Sequence, residues 1–123
     1  MILVDTSVWI DHLRRGDPML VTLLERCEVL MHPMALGELA CGGLRNRSEI
    51  LHALANLPRI ATATDEEVLY FIERRELFGR GIGYVDAHLL AAVSIASPAR
   101  LWTRDRRLQS VADLLGVGYG ASQ

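Results

Sequence analysis

Lysine is absent from this chain: all 13 of its basic residues are arginine. Against 15 acidic residues they leave a formal net charge of -2, so no global positive field marks a nucleic-acid binder. Contacts to such a polymer would have to come from local arginine patches. The guanidinium fork suits phosphate oxygens; a coding bias of the source genome explains the same arginine usage. Cysteine is scarce as well. Cys27 and Cys41 stand alone, without C-x-x-C spacing, which argues against a disulfide framework or a zinc site. They read as reduced thiols of a cytoplasmic protein. No apolar run approaches the ~20 residues of a membrane span. The first apolar triplet, Ile2-Leu3-Val4, reads as a strand and leaves no room for a secretory leader. Repeats, linkers and low-complexity tracts are missing. Hydrophobic residues at 50% against 23% charged describe a globular chain, not a disordered one. The length favours a single domain over residues 1–123, burying roughly two-thirds of its unfolded surface.

What is present is an alternation of short apolar runs and helical patterns. Residues 2–4 are expected to form a strand. Thr6 or Ser7 can cap the helix that follows, with Trp9, Ile10 and Leu13 on one side. Gly16 ends it, and Asp17-Pro18 opens a second helix. EVLMH at 28–32 reads as a second strand, and Pro33 begins a helix through Ala40. Asn46-x-x-Glu49 and Thr64-x-x-Glu67 both have the form of a capping box, opening helices to about Asn56 and about Phe78. RIATA at 59–63 reads as a third strand between them. The glycine loop GRGIG at 79–83 leads into an apolar helix at 84–96. RLWT at 100–103 is a fourth strand, Asp105 caps a last helix ended by Gly116, and VGYG adds a marginal final strand. Helices between nearly all strands predict an α/β fold with a mainly parallel central sheet flanked by helices.

In open parallel sheets, sites form outside the carboxyl ends of the strands. Asp5 follows the first strand directly, and Asp105 lies two residues beyond RLWT. Both therefore belong on one rim. At ~100° per residue, Asp86 shares a stripe with Leu89, Leu90 and Val93. Glu38 falls on a face of apolar and small residues, beside Met34, Ala35 and Gly42. An unpaired carboxylate on such a face costs several kcal/mol. Each acid alone could cap a helix, complement a helix dipole or reach solvent. Four together cannot all ionise at close quarters unless some stay protonated or a cation sits among them. Lysine is not there to neutralise them, and an all-oxygen donor set suits Mg²⁺ or Mn²⁺.

These segments resemble a known family. VDTSVW at 4–9, the Glu38 helix, YVDAHLLAA at 84–92 and LWTRDRRLQSVADLLGV at 101–117 look like a PIN domain, closest to the VapC-type toxins of bacterial toxin–antitoxin pairs. The resemblance covers nearly the whole chain. It implies a PIN-like three-layer sandwich and a Mg²⁺-dependent endoribonuclease site. It carries the acidic quartet onto Asp5, Glu38, Asp86 and Asp105, and a supporting hydroxyl onto Thr103. It also implies a cognate VapB-type antitoxin as partner, reaching an acidic pocket.

On this reading Asp5 and Asp86 hold one ion, Glu38 helps or orients a water, and Asp105 completes the site or holds a second ion. Hydrolysis by water then leaves a 5′-phosphate and a 3′-hydroxyl. His88, ~200° from Asp86 around its helix, faces elsewhere. Arg80, Arg104 and Arg106 are the candidate RNA contacts. LVTLL at 20–24 and the helix at 84–96 carry apolar surface that suits either core packing or a homodimer with an antitoxin segment in a groove. Two other readings stay open. One is a Mg²⁺-dependent phosphatase-like enzyme or phosphoacceptor, although Asp5-Thr6-Ser7 lacks the D-x-D form and no late lysine exists. The other is a non-catalytic binding module of the same fold.

Overall fold

The computed structural model describes residues 1–120. Among the described residues it contains three strands and seven helices. The strands are β1 (Ile2–Val4), β2 (Val29–Leu30) and β3 (Arg100–Trp102). The helices are α1 (Thr6–Arg15), α2 (Pro18–Glu25), α3 (Pro33–Ala40), α4 (Arg47–Ala55), α5 (Asp65–Arg74), α6 (Tyr84–Ile95) and α7 (Arg106–Leu114). The strand order is β2-β1-β3 and both pairings are parallel. Ile2 is in register with Val29 and Arg100, and Leu3 with Leu30 and Leu101.

Because strand side chains alternate faces, that register sorts the core into two layers. Leu3, Leu30 and Leu101 face α6 and α7, packing on Leu89, Leu90, Val93 and Leu108. Ile2, Val4, Val29 and Met31 face the other way, onto Val8, Trp9, Leu20 and Leu39. The molecule is thus a three-layer α/β sandwich, as its alternating pattern predicts.

Several local expectations need correction. RIATA is not a strand: only Arg59 bridges, in parallel, to Met31. VGYG contributes a single parallel bridge from Gly118 to Leu101. The two bridges prolong the sheet at its edges without building ladders. The capping box expected at Asn46 does not form. Asn46 takes a left-handed φ of 51° and its side chain caps nothing. The box at Thr64 does form, with Thr64 Oγ1 accepting from the Glu67 N–H and Glu67 Oε1 accepting from the Thr64 N–H. α5 stops at Arg74 rather than near Phe78, because Glu76 turns to φ 53° and sends Leu77 into the core. Neither Thr6 nor Ser7 caps α1. Asp5 holds the N-cap position with no side-chain cap bond. Cys27 and Cys41 are free and exposed.

Candidate active site

The paired strands β1 and β3 end beside one another, placing Asp5 and Asp105 at the carboxyl end of the sheet. The Asp5 N–H bonds the Trp102 carbonyl at 2.9 Å, so β1 and β3 stay paired up to the point where the carboxylate emerges. Asp5 is 6% exposed and therefore needs partners. Its Oδ2 accepts two hydroxyl hydrogen bonds, from Ser7 Oγ and from Thr103 Oγ1, each 2.7 Å. Both hydroxyls also accept from the backbone: Ser7 Oγ from the Arg104 N–H at 3.0 Å, and Thr103 Oγ1 from the Asp105 N–H at 3.0 Å. Each hydroxyl proton is thus committed to Asp5, and the 3.3 Å contact between the two hydroxyls has no proton left to share. Among the described residues, Oδ1 of Asp5 has no hydrogen-bond partner.

Asp86 arrives from the opposite layer, in the first turn of α6. Its Oδ2 accepts the Gly83 N–H at 3.0 Å, closing the helix start. The residue is half-buried. Burial raises its carboxyl above the ordinary range; the Gly83 bond opposes this, and the charges of Asp5, Asp105 and Glu38 add to the rise. Of the four acids expected to form one site, the other three thus lie near enough for their charges to act on Asp86.

The other two acids are placed differently from Asp5. Asp105 is exposed and its Oδ1 caps α7, accepting from the Arg107 and Leu108 N–H groups. Glu38 is exposed rather than inward, contrary to its helical-wheel position. It overhangs the rim from α3, where Oε1 accepts from Thr6 Oγ1 at 2.8 Å. Ser7 and Thr6 were not foreseen as parts of the site. The signal was the D-T-S sequence itself: two hydroxyls directly after a strand-end acid.

α6 is fastened at the turn that carries Asp86. Tyr84 Oη donates to Asp65 Oδ1 at 2.7 Å, and His88 Nε2 lies 3.0 Å from the same oxygen. The Tyr84 bond, then the His88 bond, hold the Asp65 carboxyl below its usual range, and Asp65 in turn pushes the Tyr84 phenol up. His88 is thereby turned away from the acids. Beside it lies His32, buried at the end of β2, with ring centroids 6.1 Å apart. Its Nδ1 accepts the Met34 N–H and caps α3, while its buried Nε2 has no partner among the described residues. Burial, then the nearby His88, lower its pKa from 6.5 to about 4.

The candidate arginines differ in their commitments. Arg104 is held by Asp11 at 3.0 Å and by Asp17, with its guanidinium carbon 5.8 Å from the Trp102 ring centre. Arg80 donates one bond, from Nε to the Glu76 carbonyl at 2.9 Å. Arg106 has no ion pair or side-chain hydrogen bond among the described residues.

Among the described residues, no three His, Cys, Asp or Glu side chains converge closely enough to be a ready-made metal cage. The donor chemistry still fits Mg²⁺, which keeps several waters and takes only one or two carboxylates directly. The open Oδ1 of Asp5 is the observation that favours this fit.

Fold and rim together describe a parallel α/β domain with a buried carboxylate, Asp5, at its strand ends. The chain belongs to the PIN domain family, which matches residues 2–114. It is similar to Ribonuclease VapC32 of Mycobacterium tuberculosis, strains CDC 1551 and H37Rv. Each is 50% identical over 117 residues, covering 95% of this chain and 94% of the relative. The crystal structure of PAE2754 from Pyrobaculum aerophilum shares the fold, with a TM-score of 0.59 at 19% identity over 94% of this chain and 92% of that one. The VapC-type resemblance is borne out.

No helix among the described residues is long and apolar enough to cross a membrane.

Proposed function

We propose that this chain, acting as one domain over residues 1–123, is a Mg²⁺-dependent endoribonuclease and the toxin of a toxin–antitoxin pair in the cytoplasm. The half identity to Ribonuclease VapC32 supports RNA as substrate and a VapB-type antitoxin as partner. The observation that carries the site is Asp86, whose carboxyl is raised by burial and by the charges of Asp5, Asp105 and Glu38. A cation relieves that crowding.

Asp5 and Asp86 would hold Mg²⁺, with Mn²⁺ as substitute, and Asp105 would complete that site or hold a second ion. When bound, such an ion supplies charge neutralisation at the phosphate and lowers the pKa of a water. Thr103 and Ser7 fix Asp5 through Oδ2, which keeps Oδ1 facing the rim. Thr6 steadies Glu38, which would help hold the ion or orient a water bound to it. The Gly83 N–H and the Asp65 clamp hold Asp86 at a set rotation of α6. The products are a 5′-phosphate and a 3′-hydroxyl. Arg80 and Arg106 contact the RNA backbone, and Arg104, already paired, contributes less.

The test is cleavage of total RNA by purified protein with Mg²⁺ or Mn²⁺, with chelator, and with Asp86→Asn. Metal-dependent cuts that fall at least 100-fold in the variant are expected. Equal cutting by both proteins, or 2′,3′-cyclic phosphate ends, would overturn the mechanism.

We also infer a homodimer, built on α5. Leu69, Tyr70 and Ile95 are 58%, 69% and 62% exposed, beside a groove of about 550 Å³ between α5 and α6. Glu66 and Arg74 lie four residues either side of Tyr70. A two-fold axis through Tyr70 brings Glu66 of one copy to Arg74 of the other, so the face is self-complementary.

A further inference from the structure

The rim continues into a groove along the outer face of α7. A depression of about 400 Å³ starts at Thr103 and Asp105 and passes Arg106, Ser110 and Asp113. A second, of about 750 Å³, shares those last three residues and runs on to Arg80 and Arg107. Its walls belong to two segments that adjoin the acids: Gly79 and Arg80 open the loop that leads into Asp86, and α7 is capped by Asp105.

The groove is positive where the rim is negative. Arg80, Arg106 and Arg107 line it; beyond Asp105 at the rim end, its lining carboxylate is Asp113, which accepts a bond from Gln109 Nε2 at 2.9 Å. The Arg106 and Arg107 guanidinium groups have no ion pair or hydrogen bond among the described residues, and Arg80 keeps both Nη groups free. Arg107 lies over Gly81. Gly81 has φ +79°, and a Cβ there would stand 2.6 Å from Arg107 Cδ and 2.8 Å from its Nη1. The exposed Arg107 side chain lies across the loop at this bare backbone position. Arg104 also edges the first depression, but its guanidinium is already paired with Asp11 and Asp17.

We propose that single-stranded RNA leaves the acidic rim along this groove, with its phosphates held by Arg80, Arg106 and Arg107. The proposal rests on the ribonuclease reading of the rim and adds a direction to it. Three arginine–phosphate contacts beside the acids offset the repulsion between the rim and the polyanion. They act on any sequence, because phosphate contacts position and do not read bases.

The test measures binding of a labelled 12-nucleotide single-stranded RNA of mixed sequence to the full chain, in chelator, across a KCl series. Each phosphate neutralised on a single strand contributes about 0.7 to the slope of log affinity against log salt. The triple variant Arg80→Gln, Arg106→Gln, Arg107→Gln is expected to lose about 2 units of slope. A charge-matched control, Arg14→Gln, Arg26→Gln, Arg45→Gln, removes three exposed arginines outside the groove and is expected to keep the slope. Matching thermal midpoints verify folding, and the single variant Arg107→Gln, expected to lose about 0.7, serves if the triple is unstable. A slope unchanged by the groove substitutions, or no RNA binding by the unmodified chain, overturns the proposal. Loss of poly-glutamate binding with RNA binding kept reassigns the groove to an acidic protein and also overturns it. RNA binding lost in the triple, with no cleavage by the unmodified chain under any metal, upholds the groove and overturns the ribonuclease reading instead.

Discussion

Asp5 is held by chemistry that only hydroxyls supply at that place. Thr103 is 5% exposed and both donates to Asp5 and accepts from the Asp105 N–H. Thr103→Val keeps the shape and deletes both bonds, leaving a buried carboxylate with one donor. Hydrogen bonds to charged groups contribute about 1.5–3 kcal/mol, so urea denaturation is expected to show a loss of about 2 kcal/mol. Mn²⁺ affinity is expected to fall in parallel, because Asp5 gains rotational freedom. A loss under 0.5 kcal/mol would mean that water replaces the hydroxyl. The strand-end acids were legible in the sequence because a charge directly after an apolar triplet has few places to go. The hydroxyls were not, since Thr or Ser after a strand equally well caps a helix. Glu38 was misplaced because a wheel ranks the faces of one helix and cannot show where that helix overhangs its neighbours. Thr6, 32 positions away in sequence, meets it there.

Elements were legible where local signals agreed. Asp17-Pro18, Thr64-x-x-Glu67 and the helix-ending glycines mark real boundaries because capping is a local interaction. RIATA failed because a strand needs a partner, and after the Ile60 N–H bond to the Met31 carbonyl no ladder continues among the described residues. The end of α5 failed because burial of Leu77 outweighs the cost of a left-handed Glu76, a tertiary effect with no local mark. α5 also carries the dimer prediction. Tyr70→Glu places a charge at the proposed two-fold axis, and light scattering is expected to fall from twice the chain mass to one. Glu66→Arg is expected to weaken the dimer about tenfold or more, and adding Arg74→Glu to restore it by reversing both partners. Failure of the second change to rescue the first would remove α5 from the interface while leaving the fold untouched.

At the scale of the whole molecule, stability against pH sums groups from both layers. His32 has the largest effect. Its folded pKa, about 4, lies below the unfolded 6.5. Between those values the unfolded chain takes up a proton that the native chain refuses. Stability is therefore full above pH 6.5, falls as pH drops toward 4, and is level in this term below that. Over 2.5 units at 1.36 kcal/mol each, the loss approaches about 3 kcal/mol. Asp65 and Glu67, both held below their usual range on the surface, add a smaller loss at lower pH. Asp86 opposes them, because its raised carboxyl takes a proton more readily in the native state. His32→Asn keeps an acceptor for the Met34 N–H and removes the titration. Urea midpoints from pH 7 to 4 are expected to fall steeply for the unmodified chain and much less for the variant. Parallel curves would show instead that the buried ring already shares its Nε2 proton with a bound water, and that its pKa is ordinary.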